Sequence, residues 1–359
     1  MARCIRSRTG WLLAVTIAVG LWWPLHAADG LPQRLTDAQF WRLIADVSEL
    51  NGTFRSDNLL SNEVGMQDVI PELTRVTKSG RVYIGVGPEQ NYTYIAAVRP
   101  AMAFIVDVRR GNLDLQLMYK ALFELSADRA EFVSRLFSRP RPDGLGEASS
   151  ASAIFAAFMP VPASEALYKS NLQAVLNRLT RTHALGLLAE DVSGIGEVYR
   201  AFFEFGPAIQ YSSTGRSGGR NQPTYADLMT ATDAGGQARS YLATEDRYAF
   251  VKDLETRNML VPVVGNFGGP RAIRRVGTYL KGHGATVSAF YLSNVEQYLR
   301  MDGLWVAFCA NAAALPLDES SLFIRSVRGG QSGQPFGFGL TSELGSMLAE
   351  TRDCAPSGR

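Results

Sequence analysis

The stretch from residue 82 to residue 107 constrains the fold of this chain more than any other. Val82-Tyr83-Ile84 reads as a short apolar strand that runs straight into Gly85-Val86-Gly87-Pro88-Glu89-Gln90-Asn91. A helical segment from Tyr92 to Val98 follows, and Ala103-Phe104-Ile105-Val106 forms a second buried strand closed by Asp107. Two apolar strands joined through a helix make a parallel pair, because a parallel connection needs a crossover of a dozen residues or more. Gly85 and Gly87 allow a tight turn and a close backbone approach to a ligand, and the helix start beyond them offers unpaired N–H groups. Asp107 stands 20 residues after Gly87. That is the separation at which a carboxylate accepts the hydroxyls of a nucleoside ribose. The plainer reading of the same residues is a strand-to-helix turn followed by a helix cap.

The alternation returns downstream. Met259 to Val264 is a strand ending at Gly265-Asn266-Phe267-Gly268-Gly269, and Pro270 sits where the first turn of a helix tolerates it. That helix runs to Lys281, Thr286 to Leu292 is another strand, Val295 to Leu299 starts a helix, and Leu322 to Val327 is the expected last strand. Ahead of the first strand, Thr36-Asp37 followed by Phe40, Trp41, Leu43, Ile44, Val47 and Leu50 predicts an amphipathic helix ending at Asn51-Gly52, then a polar stretch through Pro71. Gly111 to Ser126 is helical, Asp128 to Phe137 continues in helix, and Arg139-Pro140-Arg141-Pro142 breaks it. Residues 143–250 read as a mostly helical insertion, with helices at 163–180 and 194–205 and a mobile loop from Ser212 to Pro223. The expected fold class is therefore α/β, a Rossmann-like doubly wound, mainly parallel sheet with helices on both faces. Its expected divisions are a leader at 1–28, a first half at 29–142, the insertion at 143–250, a second half at 251–330 and a tail at 331–359.

Charge and address go together. The 359 residues hold 36 Lys and Arg against 34 Asp and Glu, but Arg3, Arg6 and Arg8 lie in the first 28 residues, where no acid occurs. Those arginines, the apolar run Trp11 to Trp23, and the small residues ending Ala27-Ala28 have the three-part pattern of a secretory signal peptide. Its run of about thirteen apolar residues is short of the ~20 that span a bilayer. Either cleavage near Ala28 or retention as an anchor exports the remainder, to the periplasm or beyond. Beyond residue 28 the surface charge is balanced, which gives no electrostatic reason to expect nucleic acid or a membrane as a partner. In an oxidising compartment Cys309 and Cys354 form an even pair: either a disulfide ties the tail to a helix near Cys309, or Cys309 is a buried thiol. With His183 and His283 the only histidines beyond residue 28, no zinc spacing is present and no metal is expected. His183 has no acid or nucleophile near it in sequence. Asn112, Tyr119, Lys120 and Glu124 are expected on a solvated or insertion-facing side of their helix. A Gly-x-Ser-x-Gly elbow and a phosphate-binding lysine loop are both missing.

Dinucleotide binding prefers a third glycine at position 90, which is Gln90. The stretches Val82–Asn91, Ala103–Arg109 and Val261–Gly268 instead resemble the class I S-adenosylmethionine-dependent methyltransferase fold, over about 180 of the residues. That resemblance implies S-adenosylmethionine as cofactor, Gly85 and Gly87 around its amino-acid part and Asp107 on its ribose. It further implies Asn266 and Phe267 on a loop after the fourth strand, facing the transferred methyl, with Asn266 orienting the nucleophile. Glu89 and Asn91 belong to the same expected cofactor site, and Arg109 stands at a strand end where it can hold a carboxylate or phosphate. The chain departs from the family where an acid is usual and Tyr83 stands, and where a third glycine is usual and Glu89 stands. The loop at Asn266 also lacks the two prolines of amino-group methyltransferases. The run from Asp107-Val108-Arg109-Arg110 to Arg139-Pro140-Arg141-Pro142 also resembles an uncharacterised family of exported bacterial proteins. Two functions follow as expectations. One is methyl transfer, which needs mainly proximity and in-line geometry. The other is a non-catalytic protein that binds a small-molecule or nucleoside-like ligand, or serves as a scaffold.

Overall fold

The computed structural model describes residues 30–55, 58–211, 213, 222–328 and 340–354. The leader at 1–28 and most of the loop from Ser212 to Pro223 lie outside them. Helix α1 (Asp37–Val47) and α2 (Ile70–Val76) precede β1 (Val82–Val86), α3 (Gln90–Val98), β2 (Met102–Asp107), α4 (Arg110–Leu125) and α5 (Arg129–Phe137). The insertion carries α6 (Ala151–Phe158), α7 (Glu165–Asn177), α8 (Ala189–Phe205) and α9 (Tyr225–Thr230). Then come α10 (Glu245–Thr256), β3 (Leu260–Val264), α11 (Ala272–Gly282), β4 (Val287–Ser293), α12 (Val295–Met301), α13 (Trp305–Ala313), β5 (Leu322–Arg328), β6 (Leu340–Ser346) and α14 (Met347–Glu350).

The strands form one sheet in the order β3-β2-β1-β4-β5-β6. The first five are parallel and β6 runs antiparallel to β5. This is a doubly wound order, and the winding reverses between β1 and β4. Residues of β1, β2 and β3 are buried along nearly their whole length, as strands covered on both faces must be. Helices α3, α4 and α10 pack together, α11 packs with α1 and α13, and α1 runs beside the edge strand β3.

Four expectations need correction. Helix α1 stops at Val47, and Leu50 is almost fully exposed. Ser48 takes up extended backbone because the chain must cross the sheet edge, where Glu49 N–H donates to Val264 O at 2.7 Å. Helices α4 and α5 are separate elements, since Ser126 is extended and Asp128 caps the new helix by accepting from Glu131 N–H at 2.8 Å. The boundary drawn at 250 cuts through α10, which packs on α3 and α4 and belongs to the main layer. The tail holds a strand, β6. Its residues alternate only weakly between exposed and half-buried, so the sequence carries little period-two signal there.

Cys309 of α13 and Cys354 form a disulfide across a separation of 45 residues. Among the described residues no helix is long and apolar enough to cross a membrane. Closing a loop of this length stabilises by ~4 kcal/mol in the chain-entropy model. Cys354→Ser is expected to lose a stability of that order, read as a lower urea midpoint with a steeper slope, because the unfolded chain is no longer cross-linked.

Candidate functional site

In a doubly wound sheet, ligands bind beyond the carboxyl ends of the strands, where the winding reverses. The residues singled out from sequence do lie along that edge. Their partners, however, belong to the chain itself.

The glycine turn after β1 is packed from within. Asn91 Nδ2 donates to Pro88 O at 2.7 Å and Val86 O at 2.9 Å, while its Oδ1 accepts from Tyr83 OH at 2.9 Å. Gln116 of α4 donates to Gly87 O at 3.0 Å. Gly87 has φ +76°, so a glycine is required there by backbone conformation. Gly85 is required by space, since a methyl group on it would run into Asn91 Oδ1 and the Tyr83 ring. Both glycines therefore have a structural cause, and Tyr83 is the hydroxyl that fixes Asn91.

Asp107 and Arg109 pair with each other. Arg109 Nε and Nη2 each donate to the Asp107 carboxylate at 3.0 Å, and Arg109 N–H adds a third bond at 2.9 Å. Both side chains are about nine-tenths buried. A carboxylate already held in a bidentate fork has little capacity left for a ribose. Just beyond it, Arg110 N–H at the start of α4 donates to Asn51 Oδ1 at 2.8 Å, so that helix start is capped by another part of the chain.

The loop carrying Asn266 and Phe267 follows the third strand, not the fourth. It lies at the sheet edge, two strands away from β1. Asn266 Oδ1 accepts from Gly268 N–H at 2.9 Å and holds its own turn. Glu49 fills the helix start beside it, accepting from Asn266, Arg271 and Ala272 N–H groups at 3.1, 2.9 and 2.9 Å. A carboxylate there satisfies orphan helix donors and complements the helix dipole. Phe267 is buried against Phe290 and Phe308. It serves the core.

The chain's own polar cluster sits at the reversal point, and sequence reasoning passed over most of it. Glu63, inside the stretch read only as polar, accepts from Tyr291 OH at 2.9 Å, Ser293 Oγ at 2.5 Å and Gln90 Nε2 at 2.8 Å. Ser61 N–H donates to both oxygens of Glu89 at 3.2 and 3.3 Å, and Ser61 Oγ donates to Gln90 Oε1. Glu63 and Glu89 thus face each other through Ser61 and Gln90, between the ends of β1 and β4. Burial pushes both carboxyl groups up. For Glu89 it outweighs the Ser61 and Glu89 N–H groups, and with the nearby Glu63 carries it to about 8. At neutral pH Glu89 is a protonated acid, able to donate a hydrogen bond as well as accept one. No run of residues in the sequence signals this pair, since 26 positions separate its members. Only the placement of Ser61 and Glu63 over the strand ends unites them.

A second cluster gives His183 partners that are remote from it in sequence. Its Nδ1 bonds Asp37 at 2.8 Å and its Nε2 bonds Glu124 at 2.6 Å, which joins α1, α4 and the end of α7. Lys120 also reaches Glu124 at 2.8 Å and lies over the Phe40 ring. Asn112, Tyr119 and Lys120 are buried and the Glu124 side chain is nearly so, because the face is insertion-facing, covered by α8 together with α10, and not solvated. The hydrogen bond to Glu124 holds the His183 imidazole above its ordinary range. Burial pushes Glu124 and Asp37 up, but their bonds to His183, Lys120 and Asn258 outweigh it and leave both below theirs. The contribution of His183 is complete below its unfolded value near 6.5 and is lost as pH rises through its folded value. That of the two carboxylates is lost on acidification below ~4. His183→Gln is expected to destabilise the protein more at pH 6 than at pH 9, read as the difference in thermal midpoint from the native chain.

The raised acids give a slope of the same sign as His183, opposite to that of Glu124 and Asp37. Glu89, Asp114 and Glu255 are each pushed by burial to about 8. Each keeps its proton in the folded state while the unfolded chain has released it, so stability falls as pH climbs from ~4.5 to about 8 and then levels off. Glu89→Gln keeps an acceptor for Ser61 and removes the ionisation. The variant is expected to lose less stability than the native chain between pH 5 and pH 8, by on the order of 1 kcal/mol or more. Parallel pH profiles for the two proteins would place Glu89 outside the folded-state titration.

A family model described as a domain of unknown function, DUF7790, matches residues 59–184 and 213–343. No curated protein matches the chain. The matched segments contain all of β1 to β5 and both clusters' acids from Glu63 onward, while the interval between them holds α8. With well over half of its length matched, the chain belongs to the DUF7790 family.

Proposed function

We propose that this protein is an exported binding protein that keeps a nucleoside-type α/β scaffold without its cofactor chemistry. One observation carries the reading. Each position from which the resemblance would hold S-adenosylmethionine is taken by a side chain of the protein itself: Asn91 in the glycine turn, Arg109 on Asp107, Glu49 at the α11 start and Glu63 at the β1–β4 crevice. The basic and apolar N-terminus and the Cys309–Cys354 disulfide support export. Methyl transfer is the second reading. The doubly wound strand order and the glycine-to-acid spacing from Gly87 to Asp107 favour it, with Asp107 on the ribose.

Calorimetric titration of the chain from Asp29 onward with S-adenosylmethionine and S-adenosylhomocysteine separates the two. The expected outcome is no heat of binding at millimolar ligand. Micromolar binding that disappears in Asp107→Ala would overturn the proposal and establish a nucleoside site. In Glu89→Gly, which restores the family's third glycine, a gain of S-adenosylmethionine binding would mark the crevice as a degraded cofactor site.

A further inference from the structure

Helices α11 and α13 pack side by side and leave between them an open cleft of about 310 Å3. Arg274, Thr278 and Lys281 line it from α11, Ala310 from α13, and Ala314 from the position just after α13. The two helices approach closely at Gly277, where a methyl group would lie 3.4 Å from Ala314 O and from the Leu315 side chain. Small residues on the α13 side keep the space from being filled.

The charge of the cleft is one-sided. Helix α11 has no acid along its length. Among the described residues neither Arg274 nor Lys281 has a carboxylate within ion-pair distance, while the neighbouring Arg271 and Arg275 reach only Asp46, at 3.9 and 3.8 Å. In a protein whose other charges nearly balance, two unneutralised cations on one concave surface favour an anion. Arg274 is also held in place. Its Nε donates to Asn311 Oδ1 at 2.6 Å, and fully buried Asn311 is itself fixed by bonds from its Nδ2 to Phe267 O and Gly269 O, each 2.8 Å. One guanidinium edge is therefore anchored, and the other N–H donors are positioned without loss of further side-chain freedom on binding. Arg274, Thr278 and Lys281 stand at i, i+4 and i+7, so they share a face, with the two cations ~10 Å apart along the helix axis.

We propose that this cleft binds an extended, phosphorylated small molecule, with Arg274 holding one phosphate group and Lys281 a second. A planar guanidinium matches phosphate oxygens in a bidentate fork, and a lysine acts as a point charge for the other end. The site is separate from the β1–β4 crevice, so its failure leaves the reading of that crevice untouched.

Titration of the disulfide-bonded protein with inorganic tripolyphosphate, orthophosphate and vesicles of phosphatidylglycerol in phosphatidylcholine tests it. Tripolyphosphate is expected to bind well below 1 mM and orthophosphate more weakly. Arg274→Gln, at an exposed position, should weaken tripolyphosphate about tenfold or more. Ala310→Leu keeps both charges and fills the cleft, and should weaken it comparably, with both variants still folded by circular dichroism. No binding at 1 mM would overturn the proposal. So would unchanged affinity in Arg274→Gln, or in a folded Ala310→Leu, which would reduce the effect to surface charge. Binding to the anionic vesicles without binding of tripolyphosphate would overturn it in favour of a lipid surface.

Discussion

Every helix that begins at the carboxyl edge of a parallel sheet points backbone N–H groups at the place where a ligand would sit, and those groups must have partners. In this protein the segment leading from α1 to β1 provides them. Glu49 satisfies the start of α11, Asn51 the start of α4, and Ser48 Oγ accepts from Val264 N–H at 3.1 Å. Ser61 and Glu63 complete the seal across β1 and β4. A cofactor arriving at this edge would have to displace hydrogen bonds already made in a buried setting, where each lost partner costs ~1–3 kcal/mol. This is why the crevice, so well placed by topology, reads as occupied.

The same edge holds two acids that burial pushes up, Glu63 and Glu89. Burial of a carboxyl group without a cation beside it favours the protonated form, and Glu63 and Glu89 share their surroundings with hydroxyl, amide and aromatic groups instead of a lysine or arginine. From Gln116 the network continues to Tyr92 OH at 2.6 Å, and Tyr92 packs edge-on against Tyr119 and Tyr241. Tyr225 of α9 reaches Tyr241 through its hydroxyl. The insertion is thereby joined to the sheet layer by a continuous aromatic core, while the His183 bridge ties α1 to α4 on another side. Two halves of the chain that alternate in sequence become one packed unit.

How far the sequence could be read follows from the range of the interactions involved. The strands β1 to β5 were legible because their buried stretches are short apolar runs, and the cap at Thr36 is local. Strand β6 was not, since an edge strand with one antiparallel neighbour needs little apolar pattern. The candidate site was legible in position: Gly87, Asp107 and Asn266 do stand at strand ends. It was not legible in occupancy, because the partners of Asp107, Asn91 and the α11 start come from elsewhere in the fold. Asn266 was placed after a fourth strand by the resemblance, whereas in this chain its loop follows the third strand, at the sheet edge.

What the sequence determined by itself was the alternation of strand and helix, the glycine turn with its acid 20 residues on, and the even pair of cysteines, all set by short-range periodicity, backbone conformation and composition. What only the tertiary structure decided was whether those features face a ligand or one another. Burial and hydrogen-bond partnership belong to residues far apart in sequence, such as Ser61 with Glu89, Glu63 with Ser293 and Asp37 with His183. The chemistry of a carboxylate depends on that partnership: beside Arg109, Asp107 is half of an ion pair, and beside Ser61, Glu89 is a neutral acid.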